Sequence, residues 1–375
     1  MMRRVLLLLA FAAGASLDAG AQGALAVQGF GYPTGQLSAA SLGLGGANAE
    51  IDPASPINPA NLGRPTRYSI YLQYEPEFRR TTIGGSSSNT TTIRFPGFLM
   101  SGAIGRFTLG ASFSTLLDRT WSNVYTDTIV IDGTPQSSTL IAGSDGAMND
   151  ARFASSFWVN PRLQVGLGVH AISGENRVQF GRFFADSSGL GNVSQSSVIN
   201  FSGRAFSLGV IGAPMSNLLL GASARIGGSV TAEQADEPLS EAKVPSRFGV
   251  TAAWFGIPNT TIAARLERTE WTALDGLSTT ATTLFDATEL GLGVDVVGPR
   301  IGQAFSTARV GFRDRTLPYG VNGDQVSERS LSGGLAIPLA RGRGNIDLAL
   351  QRATRKAAGA TEKAWFLSIG LGIRP

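Results

Sequence analysis

Leu163-Gln164-Val165-Gly166-Leu167-Gly168-Val169-His170-Ala171 decides the fold of this chain of 375 residues. Its odd-numbered positions are all apolar, and its even-numbered positions are Gln, Gly or His. Successive side chains of a β-strand point to opposite faces, so this stretch predicts a strand with one apolar face. The same alternation recurs in Phe107–Ser114, Glu289–Val296, Asn345–Gln351 and Trp365–Ile373. Alternation repeated over many short segments is typical of a membrane β-barrel.

The composition of the second face indicates its environment. It consists mostly of Gly, Ser, Thr and Ala, and glycine contributes 48 residues of the chain. A soluble β-sandwich would place charged side chains outside and large apolar ones inside, whereas small polar residues fit a barrel lumen with Leu, Val and Phe facing lipid. We therefore predict an all-β transmembrane antiparallel barrel over residues 67–375. From Tyr68 onward we count about 14 strands, and such barrels favour even numbers. A large soluble β-sandwich or propeller is the alternative.

The first 21 residues predict a secretory signal peptide. Arg3 and Arg4 precede the apolar run Val5–Ala15, and Ala19-Gly20-Ala21 matches an A-x-A cleavage site. The alternative is a membrane anchor, but the apolar run is much shorter than the roughly 20 residues that span a bilayer. We therefore expect an exported protein that is cleaved after Ala21.

Residue counts exclude several classes of site. The absence of cysteine rules out disulfides and thiolate metal ligands. The formal net charge of +4 is spread along the chain, without the basic cluster that indicates a nucleic-acid partner. His170 is the lone histidine, so we expect no transition metal and no cofactor. The nearest serine, Ser173, is three residues away and faces the opposite side of the strand. We therefore expect no catalytic residue, and a structural role for His170 in the lumen.

Residues Gln22 to Thr66 do not alternate and form a separate segment. Ser38 is a suitable N-cap for one short helix that reaches Glu50, although glycines weaken it. A non-strand segment ahead of a barrel is either a plug in the lumen or a periplasmic tail, and the apolar, glycine-rich composition favours the plug. We expect Asn58-Pro59-Ala60 to hold the segment where it meets the first strand. Proline disfavours helix at Asn58, and the Asn amide bonds free backbone groups at a bend.

This segment resembles a known family. Ala40-Ser41-Leu42-Gly43-Leu44-Gly45-Gly46-Ala47, then Asp52, then Asn58-Pro59-Ala60-Asn61-Leu62, is similar to the N-terminal signature of the FadL/TodX superfamily of outer-membrane proteins that import hydrophobic compounds. PorV-type proteins of the type IX secretion system share this signature. Val244-Pro245-Ser246-Arg247-Phe248-Gly249-Val250 resembles the proline-led starts of the family's strands. The resemblance implies a barrel with the strand number counted above, plugged by an N-terminal hatch.

The resemblance and the plug-like segment predict a function. We expect a channel in the cell outer membrane of a Gram-negative-type bacterium for passive uptake of hydrophobic small molecules such as long-chain fatty acids. The alternative is a PorV-like barrel that acts as a docking or assembly component of a protein secretion system. An enzyme is not expected, for want of a nucleophile–base pair. The expected partners are outer-membrane lipid, a hydrophobic small-molecule ligand and the barrel-assembly machinery, although the chain ends Ile373-Arg374-Pro375 without the terminal aromatic residue of many such barrels.

Pro96-Gly97 interrupts the predicted strand Thr91–Met100. Proline has no N–H to donate to a ladder, and a closed barrel has no free edge on which to place it. The pair therefore predicts a bulge or an inward kink that leaves a gap between neighbouring strands. Such a gap is a candidate lateral gate, through which an apolar ligand leaves the lumen for lipid. The alternative is a bulge that merely curves the wall.

Overall fold

The computed structural model describes residues 24–27, 30–63, 68–83, 86–185, 189–277, 283–301, 304–339 and 343–373. The predicted signal peptide, Met1 to Ala21, lies outside these residues, as do the predicted ends of the following segment, Gln22 and Thr66. We refer to the described residues from 24 to 63 as the N-terminal segment.

Strands make up most of the described chain, as the repeated alternation predicts. Numbered in chain order they are β1 (Tyr32–Pro33), β2 (Tyr68–Ile83), β3 (Ser86–Ile104), β4 (Phe107–Asp118), β5 (Trp121–Ile131), β6 (Thr134–Asn160), β7 (Leu163–Phe184), β8 (Val193–Met215), β9 (Leu218–Gln234), β10 (Glu237–Lys243), β11 (Arg247–Ile257), β12 (Thr260–Thr269), β13 (Ala287–Ile301), β14 (Ala304–Val321), β15 (Asp324–Leu339), β16 (Gly344–Ala357) and β17 (Ala360–Ile373). Neighbouring long strands pair with one another in sequence order, which gives an up-and-down arrangement.

Fourteen of these strands form a closed antiparallel barrel. The ring closes where β17 pairs with β2, from Thr361 opposite Thr82 to Ile373 opposite Ile70. Three short strands lie outside the ring: β5 continues along β6 where β4 ends, β10 extends along β9, and β1 pairs with β4. The predicted all-β barrel and its strand count are therefore confirmed.

The outer face of the barrel carries an apolar band. On β17, alternate residues from Trp365 to Ile373 face outward, and the residues between them are buried. Leu167, Phe206 and Leu331 are likewise exposed on other strands. The stretch from Trp365 to Ile373 contains nine residues. A tilted transmembrane strand needs about 9–11 residues to cross the apolar core of a bilayer, so this length suits a membrane barrel.

The N-terminal segment packs against the inward face of the strands and is buried almost throughout. The helices of the described chain are α1 (Ala24–Val27), α2 (Ala39–Gly43) and two 3-10 helices, Pro59–Gly63 and Trp271–Leu277. Ser38 caps α2 as predicted, because its hydroxyl accepts from Ser41 N at 3.0 Å. The helix stops at Gly43, short of the predicted Glu50, and Gly45 then adopts a positive φ of 63°, which ordinary helix does not allow. In the described residues no helix has the length and apolar character needed to cross a membrane.

Candidate functional site

Inward-facing glycines let the N-terminal segment approach the barrel wall closely. A Cβ added at Gly311 would collide with the backbone of Leu44 and Gly45. Glycines at positions 291 and 293 face the same turn, and a Cβ at Gly293 would lie 2.5 Å from Leu44 O. Glycine in a strand often marks such a close backbone approach. The small residues of the alternating pattern therefore line the surface on which this segment rests.

Asp52 organises the fold of the N-terminal segment through its carboxylate. Its Oδ2 accepts hydrogen bonds from the hydroxyls of Ser38, of Ser41 at 2.8 Å and of Ser55 at 2.7 Å. Its Oδ1 accepts from Ala54 N at 3.1 Å. A buried charge is costly unless it is hydrogen-bonded, and here both oxygens are. These bonds hold α2 and the turns that follow it as one unit.

Asn58-Pro59-Ala60 lies against the inward face of β8 and β9. Asn58 Nδ2 donates to Glu50 O at 2.9 Å, and it lies 3.4 Å from Val210 O and 3.3 Å from Ala222 O. Asn58 Oδ1 accepts from Ala60 N at 2.9 Å. A Cβ at Gly209 would collide with that amide oxygen. The amide therefore joins a turn of the N-terminal segment to two barrel strands.

A buried ion-pair network also joins the segment to the barrel. Glu50 Oε1 lies 3.3 Å from Arg265 Nη2 on β12, and both side chains are almost fully buried. Arg265 pairs further with Glu267 and, at 2.7 Å, with Glu289, which in turn pairs with Arg313. Removing one member of such a pair leaves an uncompensated buried charge. This network is not evident from the sequence, because it depends on which strands are neighbours and in which register.

Tyr32 lies among three arginines from β3, β14 and β16. The guanidinium carbons of Arg94, Arg315 and Arg355 are 4.7, 5.0 and 4.7 Å from the centroid of its ring. Its hydroxyl accepts from Arg315 and donates to Glu328 Oε2 at 3.2 Å. Cation–π attraction is stronger where water is excluded. Tyr32 is therefore one of the residues through which the N-terminal segment contacts the charged wall, together with Pro33 and Gln36.

Pro96-Gly97 marks a change in the pairing of β3. The pairing of β3 with β4 ends at Gly97 opposite Ser114, and in the described residues it does not continue toward the outer end of β3. On its other side, β3 bulges against β2, where the register shifts between Gln73 and Glu75. A proline within the strand accounts for both features, because it has no N–H to donate.

The N-terminal segment occupies the edge of β4 that β3 leaves. Tyr32 is opposite Asp118 and Pro33 is opposite Leu117 in the β1–β4 pairing. Asp118 Oδ2 accepts from Arg94 Nε, on β3, at 2.6 Å. A side-chain ion pair therefore connects two strands that have separated at this height.

A cavity of about 330 Å³ lies between the outer half of β3 and strands β5 and β6. Its lining includes Arg79 and Ser144, which are buried on the inward face, and Asp145, which is exposed on the outward face. The cavity therefore lies in the wall where β3 is no longer paired with β4.

Arg119, at the junction of β4 and β5, precedes Thr120, which lines this cavity. Its guanidinium carbon lies 5.2 Å from the ring centroid of Phe201, which belongs to an apolar cluster with Leu25 and Phe30. The Arg119 guanidinium forms no ion pair with any residue that the structure describes. Arg119 is therefore a cation at the edge of the apolar cluster that includes Phe201.

Asp150, His170 and Ser207 form a hydrogen-bonded chain across β6, β7 and β8. His170 Nδ1 lies 2.7 Å from Asp150 Oδ1, and its Nε2 lies 2.8 Å from Ser207 Oγ. The order matches a serine–histidine–aspartate triad, but Ser207 is 2% exposed and a Cβ at Gly168 would collide with its hydroxyl. This geometry leaves no room for a substrate. Ser207 rather than Ser173 contacts His170, and the sequence alone does not show this because partners on neighbouring strands cannot be assigned without their register.

Known proteins resemble this chain in fold and not in sequence. No protein-family model and no curated protein matches the sequence. A Pseudomonas aeruginosa FadL homologue of known structure is 13% identical, with a TM-score of 0.61 over 92% of this chain and 99% of its own. The chain has the FadL-type barrel fold. The predicted resemblance is thereby confirmed at the level of architecture.

Two other structures share the FadL-type fold. The Pseudomonas putida toluene transporter TodX is 14% identical, with a TM-score of 0.57 over 89% of this chain and 96% of its own. The monoaromatic hydrocarbon channel CymD is 13% identical, with a TM-score of 0.55 over 90% of this chain and 97% of its own. All three similar proteins are transporters or homologues of transporters, not enzymes.

Proposed function

We propose that this protein is an outer-membrane channel for the passive uptake of hydrophobic small molecules, long-chain fatty acids among them. A closed barrel pairs its backbone groups within the sheet, as a bilayer requires, and its outward apolar band suits lipid. The fold shared with a toluene transporter and a monoaromatic hydrocarbon channel supports hydrophobic ligands. The observation that carries the proposal is the separation of β3 from β4 beside a cavity in the barrel wall.

Pro96-Gly97 is the proposed lateral gate. Beyond this pair, Tyr32-Pro33 covers the edge of β4 in place of β3. Displacing Tyr32-Pro33 would connect the lumen with the lipid outside. An apolar ligand that leaves sideways avoids the buried ion pairs of the lumen, where it would have to separate charged groups from their partners.

The N-terminal segment, within the predicted range 22–66, is the proposed plug. Asn58-Pro59-Ala60 and Glu50 anchor its inner part to β8, β9 and β12. Its outer part depends on Tyr32 and on the two-residue β1. We propose that ligand displaces the outer part while the inner part stays in place, so that the gate opens without an aqueous channel through the barrel.

Arg119 is the group proposed to recognise a fatty-acid carboxylate. It lies beside the apolar cluster that includes Phe201, and none of the described residues offers it a carboxylate. Charge-assisted hydrogen bonds between a guanidinium and a carboxylate are stronger than neutral ones. A fatty acid would pack its acyl chain against the apolar cluster and pair its carboxylate with the Arg119 guanidinium. The docking role in protein secretion stays the alternative prediction, with no specific feature in its favour.

Uptake by intact cells tests the proposal. A bacterial strain without a hydrophobic-compound channel of its own should take up radiolabelled long-chain fatty acid several-fold faster when it expresses this chain. The control is the same strain with an empty vector. An equal rate in the two strains, with the folded barrel present in the outer membrane, would contradict the proposal.

Arg119→Gln tests the ligand class. Fatty-acid uptake should fall about tenfold or more, since a hydrogen bond to a charged group contributes about 1.5–3 kcal/mol, whereas toluene uptake should stay at the wild-type rate. Arg162→Gln removes a charge from an exposed turn and is the matched control. If fatty-acid and toluene uptake fall together, Arg119 has a structural role and does not recognise carboxylates.

A further inference from the structure

A group of basic side chains projects from the outer surface of four neighbouring strands, β15, β16, β17 and β2. This outer basic cluster consists of Arg80, Arg329, Arg352, Lys356 and Lys363, all exposed. Its members face outward, because the residues that alternate with them, such as Arg355 and Glu362, are buried in the lumen. Asp314 is the neighbouring acid in the described chain, and it pairs with Arg329 at 3.0 Å.

The outer basic cluster lies at the border of the apolar band. Arg352 is opposite both Leu331 and Trp365, and its guanidinium carbon is 5.4 Å from the Trp365 ring centroid. Lys363 lies one outward-facing position beyond Trp365. Aromatic residues mark the interface between lipid tails and headgroups in membrane barrels. The basic side chains therefore lie at headgroup height, at the end of the barrel opposite the turns that join β6 to β7 and β8 to β9.

Three members of the cluster have no acidic partner among the described residues. Arg352, Lys356 and Lys363 form no ion pair with any residue that the structure describes. Lys363 lies directly opposite Arg80 across the seam between β17 and β2. Like charges in that relation destabilise a sheet. An anion bound from outside would be attracted by Arg352, Lys356 and Lys363 together.

We propose that the outer basic cluster binds the phosphorylated headgroup of a lipid in the outer leaflet around the barrel. Phosphate oxygens accept charge-assisted hydrogen bonds from several donors at once, and arginine can bind them through two parallel bonds. The acyl chains of the same lipid would lie on the exposed Leu331, Leu350 and Trp365. The inference rests on the proposed membrane location, but it concerns a lipid that surrounds the channel, not a molecule that passes through it.

Lipid binding by the full-length protein, purified in detergent, tests this inference by native mass spectrometry. The probes are bisphosphorylated lipid A and the same lipid with its phosphates removed. Wild type should retain the phosphorylated form about tenfold more tightly, because basic residues near a membrane surface each add to the attraction of anionic lipid. The combined Arg352→Gln, Lys356→Gln and Lys363→Gln variant should lose this preference. A matched control, Arg162→Gln, Arg177→Gln and Arg204→Gln, removes the same charge elsewhere on the exposed surface and should keep it.

Each outcome has a defined meaning. Equal retention of the two lipids by wild type overturns the inference and leaves the proposed channel intact. Equal loss of preference in the control variant shows a general charge effect and also overturns it. Displacement of the lipid by inorganic phosphate at the same concentration overturns the assignment to a lipid headgroup. A wild-type protein that retains neither lipid contradicts the proposed membrane location as well. If the triple variant does not fold, Lys363→Gln alone is compared with Arg204→Gln.

Discussion

At the scale of single residues, glycine determines how the N-terminal segment meets the barrel wall. Gly209 lies beneath the Asn58 amide, and Gly311 lies beneath the turn that contains Gly45. A side chain at either position would occupy space that now holds backbone or amide atoms. The position of the segment therefore depends on residues that contribute no side-chain contact.

Gly209→Ala should separate Asn58 from β8 and β9. We expect the purified protein to show several-fold higher ion conductance in planar bilayers and a free energy of unfolding lower by about 1–3 kcal/mol, the usual cost of overpacking. Gly333→Ala is the control, because the nearest atom to its added Cβ is 3.9 Å away. If Gly209→Ala conducts no more than the control, the N-terminal segment does not close the lumen.

Some of the residues that join the N-terminal segment to the barrel can be predicted from the sequence, and others cannot. Asn58-Pro59-Ala60 was identifiable because proline and a short amide side chain have strong local preferences. Glu50 and Arg265 were not, because a buried ion pair between positions so distant in sequence depends on tertiary register. The same limit applies to Asp150 and Ser207, which contact His170 from the two strands beside it.

At the scale of elements, β3 differs from the other long strands of the barrel. It extends over Ser86–Ile104, well beyond the predicted Thr91–Met100, because flanking Ser and Thr residues pair with β2. Alternation of apolar residues could not reveal these polar extensions. The interruption at Pro96-Gly97 was visible in the sequence, whereas the partner that takes the place of β3, Tyr32-Pro33, was not.

Pro96→Val combined with Gly97→Thr should extend the pairing of β3 with β4 beyond Ser114, since both replacements favour strand and valine supplies an N–H. We expect uptake of hydrophobic substrate to slow several-fold in cells that express this variant. Pro338→Val, in β15, replaces a proline away from the opening and should leave uptake unchanged. Uptake by the double variant at the wild-type rate would place the exit elsewhere.

At the scale of the whole molecule, closure of the sheet is the property that the sequence predicted best. Each segment must alternate, since one face meets lipid and the other the lumen, so the strands could be counted without knowing their partners. Alternation does not show which strands lie outside the ring, so the sequence could not distinguish β1, β5 and β10 from the barrel strands.

The closed barrel makes a direct prediction for the intact protein. The mature chain should be recovered in the outer-membrane fraction and should migrate faster on a gel before heating than after it, because a sheet with no free edge resists detergent. A soluble β-sandwich would be released with the periplasmic contents and would show no such shift. Recovery in that fraction would contradict the membrane barrel.

The seam between β17 and β2 has a consequence for the order of events during biogenesis. It joins β17 to β2, the two barrel strands that are farthest apart in the sequence, so the ring cannot close before both strands have formed. The N-terminal segment precedes β2 in the sequence. Its contacts with β8, β9 and β12 lie on the inward face of these strands. Once the ring has closed, the segment can reach them only through an end of the barrel, unless the seam from Thr361 to Ile373 breaks.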